Sequence, residues 1–409
     1  MRKFALLLLL AALALPALAD NRVTVEQLEQ AVAAAHGKPD QEVALSLGGL
    51  ELTERLSTAR LERLKAGLPG EKARLALLLL ADASAFLDLP AADIAPGAAP
   101  DSATQGQIVS RAADFAVATV SKMPDFFATR TTTRFQDKKA SQGSDQTIFL
   151  WNQGFQFVDR LTIPVTYRNG REVLEAPGAK RSGNGVTSST GLTNWGVFGP
   201  LLGLVMADIL KGKVGWGHWE QGPAGPLAVF RYAVPEERSN YTVRYCCFRS
   251  GMGEMRDFEV IPAYHGEIAV DPASGTVFRL AVKTDLQPAL PIGRADVLVE
   301  YGPVEIGGKT YICPLKSTSI IKADALVFHG NLFYVDRKGK PDDWVGNKLK
   351  HTDSVSEPQL TAINDVVFEN YHRFRADVTI VPADGAAQDE NEPAPAPATA
   401  PKPTTQKSP

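Results

Sequence analysis

Cysteine and histidine are scarce in this sequence, and both shortages limit the chemistry that it can carry. The 409 residues include three cysteines and six histidines. No Gly-x-Ser-x-Gly turn and no His-Glu-x-x-His pair occurs, so the nucleophile of α/β hydrolases and the zinc site of common metalloproteases are both missing. The usual hydrolytic mechanisms are therefore unsupported, and we expect neither a metal nor another cofactor.

The sequence also lacks a block of basic residues and a hydrophobic run long enough to span a membrane. Its formal net charge of -3 does not favour nucleic acid as a partner. The longest apolar run follows Arg2 and Lys3, and its roughly 15 residues fall short of the ~20 that cross hydrocarbon. It ends at the small residues of Ala17-Leu18-Ala19. This pattern predicts a signal peptide over residues 1–19, with cleavage before Asp20.

No cysteine lies at this cleavage site, so no residue is present there to accept a lipid. We therefore expect a periplasmic or secreted protein without a stable membrane anchor. In an oxidising compartment three cysteines leave one over. Adjacent strand residues face opposite ways, so only one of Cys246 and Cys247 can face Cys313. The parity of the neighbouring residues favours a Cys247–Cys313 disulfide, with Cys246 in place of Cys247, or three free thiols, as alternatives.

Hydrophobic periodicity divides the mature chain into two regions and a tail. In residues 20–122, apolar residues recur every three or four positions, which predicts helices. Thr24 and Gln27 have the spacing of a helix capping box. Residues 123–382 alternate apolar and polar side chains, most clearly from Phe374 to Ile380, which predicts strands. Residues 383–409 are rich in Pro and Ala and are predicted to be disordered.

Short turns separate the predicted strands. Asn169-Gly170 and Gly307-Gly308 are typical of tight hairpins, whose strands must be antiparallel neighbours. A single helix near residues 200–211 interrupts the strands, beginning at Pro200 and ending before Gly212. The sequence thus predicts an α+β fold: an N-terminal helical region, then a large curved antiparallel sheet, half-barrel-like, with one internal helix in its concave side.

Five stretches carry a family resemblance: Leu-Thr-Glu-Arg-Leu-Ser at residues 52–57, and residues 125–135, 264–272, 299–314 and 364–374. With them the chain resembles a family of exported acidobacterial proteins of unknown function. The sheet region is more distantly similar to the half-barrel fold of periplasmic lipoprotein carriers and of a periplasmic anti-sigma-factor regulator. That second resemblance implies an apolar concavity that holds acyl chains or a lipidated peptide.

Aromatic side chains cluster in the sheet region around the internal helix. Large rings that line a concavity bind acyl chains or other hydrophobic ligands. The alternative is that the same rings form the core between sheet and helix. The candidate ligand-binding residues are Trp151, Phe157, Trp216, Trp219, Phe230 and Tyr232.

The sequence therefore favours a non-enzymatic exported protein that binds a hydrophobic or lipidic ligand, with a lipid, a lipoprotein or an envelope protein as its partner. A first alternative is an envelope interaction or regulatory module that uses the helical region. Its charged residues are Glu54, Arg55, Arg60, Glu62, Arg63 and Lys65. A second alternative is a hydrolase with an unusual site around His265, Glu267 and Asp271.

Overall fold

The structure is a computed structural model that describes most of the chain between residues 21 and 373. The described residues are 21–137, 154–174, 191–192, 197–222, 225–249, 255–287, 290, 292–324 and 359–373. The predicted signal peptide, Trp151, the strand from Phe374 to Ile380 and the predicted disordered tail lie outside them. The chain divides into two compact units, Met1–Arg373 and Phe374–Pro409, and every described residue belongs to the first.

Six α-helices occur in the described residues, five of them before the sheet. They are α1 (Val25–Ala34), α2 (Asp40–Gly48), α3 (Thr58–Ala66), α4 (Glu71–Ala83), α5 (Ser102–Lys122) and α6 (Pro200–Ile209). The capping box at Thr24 is confirmed, because Thr24 Oγ1 accepts from the Gln27 amide at 3.2 Å and Gln27 Oε1 from the Thr24 amide at 2.9 Å. The short helix α2 follows Pro39 without a side-chain cap. None of the described helices is both long and apolar enough to cross a membrane.

Fifteen strands are described. The first two are β1 (Arg22–Val23) and β2 (Glu51–Leu52), which form a small parallel pair beside the helices. The others are β3 (Phe126–Asp137), β4 (Phe155–Arg168), β5 (Arg171–Leu174), β6 (Gly191–Leu192), β7 (Lys213–Gln221), β8 (Pro226–Val234), β9 (Val243–Arg249), β10 (Met255–Val260), β11 (Ala263–Val270), β12 (Val277–Asp285), β13 (Ile292–Ile306), β14 (Lys309–Asp324) and β15 (Gln359–Arg373).

Ten strands form one antiparallel sheet, in the order β5-β4-β3-β15-β14-β13-β12-β11-β8-β7. Its edge strands are β5 and β7, so the sheet does not close into a barrel. The predicted hairpins are confirmed: Asn169 and Gly170 have φ angles of 52° and 75°, and Gly307 and Gly308 have φ angles of 62° and 78°. A separate three-stranded sheet has the order β10-β9-β6. The predicted α+β class, with helices first and one helix within the sheet region, is confirmed.

Helices cover both faces of the large sheet. Leu280 and Val282 of β12 pack into a core with α5 and α6, whereas Ala281 between them packs into a second core with α1–α4. On β13, Val299 packs into the core with α5 and α6, and Leu298 packs into the core with α1–α4. The sequence predicted one helix in the sheet and a helical region of unspecified placement. The second layer forms because α4, apolar on almost every side, requires burial all round.

Candidate functional site

Four of the predicted ligand-binding residues come together on the face of the sheet that α6 covers. The rings of Trp216 and Trp219 meet edge to face at 4.9 Å between centroids, and those of Trp216 and Phe230 at 5.6 Å. Tyr232 is buried beside them and donates its hydroxyl to the Ala281 carbonyl at 2.7 Å. This contact passes over Gly266, where any Cβ would lie 1.9 Å from the same carbonyl oxygen.

Phe157 does not belong to this group. It packs on the opposite face of the sheet, against Phe135 at 6.3 Å between ring centroids, in the core of the helical region. Phe157 is close to the other aromatics along the chain, but distance along the chain does not determine the face on which a strand residue lies.

The space between α6 and the sheet is filled by side chains in the described structure. Leu202, Val205 and Ile209 of α6 are at most 1% exposed and pack among the same core residues as Phe230. Asp208 fixes the helix from within, because it accepts from the Tyr264 hydroxyl at 3.0 Å and from the Asn240 amide at 2.8 Å. The described aromatics on this face therefore pack in the core, with Trp216 and Trp219 at its half-buried margin, and a ligand-binding role for them stays a prediction.

Cys313 is a free thiol, fully buried in the core of the α6 face. Burial raises its pKa to about 12. The side chains of Cys246 and Cys247 on β9 lie outside the described residues. The structure thus contains no disulfide at Cys313, and pairing of either residue with it stays a prediction.

The three residues of the suggested hydrolase site lie in separate contacts. His265 Nδ1 is 3.0 Å from Asp285 Oδ1 at the surface. Glu267 faces two arginines, whereas Asp271 accepts from the Ser274 amide at 3.1 Å within a hairpin turn. No group of three His, Cys, Asp or Glu side chains in the described part of the chain is placed to hold a metal ion.

A polar pocket that the sequence did not predict lies where the helical region meets the sheet. Its volume is about 40 Å³. The helical region contributes the segment before α3 and the end of α4, and the sheet contributes β7, β12, β13 and β14. The lining residues are Arg55, Leu56, Ser57, Thr58, Leu61, Ala81, Asp82, Ala85, Glu220, Arg279, Leu298, Glu300, Lys316 and Thr318.

One side of the pocket is a carboxylate held between two buried arginines. Arg55 Nη2 lies 3.2 Å from both oxygens of Glu220, and Arg279 Nη1 donates to Glu220 Oε1. Burial, with the neighbouring Arg279 charge, lowers the pKa of Arg55 to about 10. Burial by itself would raise the pKa of Glu220, but Arg279 and Arg55 outweigh it and lower that pKa. Glu220 therefore stays ionised and ties the helical region to β7.

The other side is a lysine between two buried carboxylates. Lys316 Nζ donates to Asp82 Oδ1 of α4 at 2.9 Å and lies 2.8 Å from Asp365 Oδ1 of β15. Thr318 Oγ1 also donates to Asp82 Oδ1, at 3.1 Å. Burial and the nearby Asp365 raise the pKa of Asp82 to about 7. The two carboxylates raise the pKa of Lys316 in spite of its burial.

Glu300 joins the two sides. It lies opposite Arg279 on β12 and opposite Lys316 on β14, so charges of alternating sign run across three strands on one face. Cross-strand neighbours of opposite sign attract each other. From the helical region, Thr58 Oγ1 donates to Glu300 Oε2 at 2.5 Å. The pocket is therefore lined by three cations and three carboxylates, all in fixed contacts.

Some polar atoms of this pocket have no hydrogen-bond partner among the described residues. They are Nε and Nη2 of Arg279 and Oδ2 of Asp82, on side chains that are almost fully buried. Glu267 Oε2 is 3.8 Å from Arg279 Nη2, too far for a hydrogen bond. Buried polar atoms without partners cost free energy, so the side chains of this cluster do not fully satisfy one another.

Arg55 was predicted to lie on an exposed charged face of a helix. In the structure it precedes α3, is 7% exposed and reaches Glu220, which lies 165 residues further along the chain. Arg60, from the same predicted face, holds Asp93 and Glu29. One signal for the polar pocket was present in the sequence, because charged residues occupy alternate positions of the predicted strands. Such positions ordinarily face water, so the pattern did not indicate a buried site.

No protein-family model, no curated protein and no solved structure matches this chain. The resemblance to exported acidobacterial proteins, and the more distant one to lipoprotein carriers, stay predictions.

Proposed function

We propose that this protein is a non-enzymatic exported binding module whose ligand site is the polar pocket between the helical region and the sheet. In this proposal the sheet with α5 and α6 is a rigid scaffold, and the helical region forms the other half of the site. The proposal combines binding, the leading hypothesis from the sequence, with the first alternative, in which the helical region carries the function.

The observation that carries the proposal is a polar cavity lined by charged side chains of both regions, with Asp82 from the helical region and Arg279 from the sheet among them. A merely structural ion-pair cluster gains most when every buried donor and acceptor is satisfied. Here the cluster surrounds a cavity of about 40 Å³, and Arg279 and Asp82 keep polar atoms without a partner among the described residues. A ligand in the cavity would lie between α4, which carries Asp82, and β12, which carries Arg279.

The filled space beneath α6 favours this site over an acyl-chain site on the other face. Leu202 and Val205 occupy that space, and Asp208 holds α6 in place through Tyr264 of β11 and the backbone amide of Asn240. Opening it would expose apolar surface at about 25 cal/mol per Å². The polar pocket needs no such rearrangement.

The test is ligand-dependent stabilisation of the mature chain, measured by thermal unfolding with a panel of small polar compounds. A compound that binds only the folded state raises the melting temperature with its concentration. The rise should disappear in Arg279→Lys and persist in Arg231→Ala, a variant of an exposed arginine that does not line the pocket. A rise of equal size in both variants would place the ligand elsewhere.

A second candidate keeps the hydrophobic ligand, at the half-buried margin of the α6 core. Trp219 donates Nε1 to the Ala98 carbonyl at 2.9 Å, so the segment before α5 covers this tryptophan pair. Displacement of that segment would expose both rings to a lipid. Lipid extracted from protein purified from an envelope, and reduced in Trp216→Ala, would support this candidate, whereas lipid-free protein would count against it.

A further inference from the structure

Residues 94–99, which we call the strap, cross the surface between two fixed ends just before α5. At the start of the strap, Arg60 Nε donates to Asp93 Oδ2 at 2.9 Å. At its end, Gln105 Nε2 donates to the Pro100 carbonyl at 2.7 Å. Between these ends, five of the six strap residues are exposed. The strap is thus tied down at both ends and lies on the surface in its middle.

Among the described residues, two hydrogen bonds join the strap to the sheet, and both involve Trp219. The Ala95 amide donates to the Trp219 carbonyl at 2.9 Å, and Trp219 Nε1 donates to the Ala98 carbonyl at 2.9 Å. Apart from Ile94, the strap consists of Ala, Pro and Gly, which have little side chain to bury, and Ile94 is itself 43% exposed. Little apolar burial therefore opposes lifting of the strap.

Beneath the strap, Trp219 ends an apolar row on the edge strand β7. Val214, Trp216 and Trp219 pair with three alternate residues of β8, so their side chains share one face of the sheet. Val214 is 37% exposed, and the two tryptophans are half-buried and in contact with each other. Lifting the strap would free the Trp219 ring and leave a continuous apolar row. Such a row suits a hydrophobic chain better than a compact polar ligand.

We infer that the strap is a lid that controls the access of an acyl chain to the row of Val214, Trp216 and Trp219. The inference rests on the second candidate of the proposed function and adds the regulation of that site. The closed strap covers Trp219, and the open strap leaves the row free for the ligand. Because the ligand binds the open state, its apparent dissociation constant is the intrinsic constant divided by the fraction of open molecules. A change that opens the strap therefore strengthens binding.

The first measurement is hydrogen exchange of the Trp219 indole N–H in the mature chain, followed by NMR, with the signal assigned by its loss in Trp219→Phe. Gly97→Ala should displace the strap, because the added Cβ would lie 2.8 Å from Cδ1 of a ring that already packs on Trp216. Ala95→Pro should loosen the strap, because proline lacks the N–H that the Trp219 carbonyl accepts.

Both strap variants should speed this exchange by about threefold to tenfold, the range expected when one hydrogen bond is lost. Gly215→Ala is the matched control, because it adds the same methyl group on β7 where no atom lies within 4 Å. It should leave the exchange rate unchanged.

The second measurement is the apparent dissociation constant of laurate, a single acyl chain, for the wild type and each variant. This constant should fall in the strap variants by about the factor by which exchange rises, since both report the fraction of open molecules. Trp216→Ala should weaken laurate binding, because it removes one ring of the row. Acetate, which has the same carboxylate without the chain, should not bind.

Faster exchange together with tighter laurate binding in the strap variants supports the inference. Laurate binding of equal strength in the wild type and the strap variants overturns the lid but leaves the hydrophobic site. Absence of laurate binding in all of them overturns both the lid and the second candidate function. Unchanged exchange in both strap variants also overturns the lid. Circular dichroism identifies a variant that is not folded, and the other strap variant then carries the test.

Discussion

Lys316 holds together two of the most deeply buried carboxylates among the described residues, so its removal should be among the most damaging single changes. Its ammonium lies within 3 Å of Asp82 and Asp365, whose residues are 1% and 2% exposed. Lys316→Met keeps the length of the side chain but leaves two carboxylates without their cation. Removing one partner of a buried ion pair costs about 3–5 kcal/mol. Against a total stability of about 5–15 kcal/mol, this is a large fraction.

Urea unfolding followed by circular dichroism measures the loss, and thermal unfolding should show a fall of roughly 10 °C. Lys322→Met is the matched control, because Lys322 is exposed on the same strand, six residues further along. It should change stability by less than about 0.5 kcal/mol. A loss below about 1 kcal/mol for Lys316→Met, or equal losses in both variants, would refute the reasoning that this ion cluster fastens α4 to the sheet.

Three further predictions concern the pH dependence of stability, the close packing at Gly266 and the hydrogen bonds that hold α6 on the sheet. The raised pKa of Asp82, about 7 in the folded protein against 3.8 in the unfolded chain, means that the folded state binds this proton more tightly. The stabilisation from this protonation is thus full below about pH 4 and is lost as the pH rises to about 7. A pH series of urea melts measures this fall in the free energy of unfolding, which should be absent in Asp82→Asn. Gly266→Ala should cost about 1–3 kcal/mol by overpacking against the Ala281 carbonyl, whereas Gly215→Ala, with open space around it, should cost under about 1 kcal/mol in the same melts. Asp208→Ala should cost about 2–3 kcal/mol in such melts, because it leaves the buried Tyr264 hydroxyl without its acceptor.

Much of the fold could be predicted because its signals are local. The capping box at Thr24 and the positive φ angles at Asn169-Gly170 and Gly307-Gly308 depend on a few adjacent residues. The period of two along β12 and β13 depends only on the geometry of a strand. The short helix α2 has no capping side chain and follows a proline, so its beginning carried a weaker signal.

The order of strands and the cover of the second face depend on pairings between distant residues. In the sheet, β15 lies between β3 and β14, although it follows both of them in the chain by many residues. No turn motif in the sequence indicates that β15 pairs with these two strands. For the same reason Phe157 could not be separated from Trp216 and Phe230 by sequence alone. Its face is set by the pairing of β4 with β3 and by a register shift at Arg134 and Phe135.

The candidate site was hidden by the same alternation that made the strands predictable. Arg279, Glu300 and Lys316 occupy the polar positions of their strands, and in an antiparallel sheet such positions usually face water. They are buried because the helical region lies over them, and the local sequence of a strand contains no information on what covers it. Arg55 is the corresponding case on the helical side, because a charged residue beside a helix is ordinarily solvated. Its burial is favourable only because of Glu220, a partner that is distant along the chain. A charge in a strand is therefore informative only together with the charges that face it across neighbouring strands, and here those charges alternate in sign from β12 to β14. A solvated face has little to gain from such a pattern, whereas a covered face requires it.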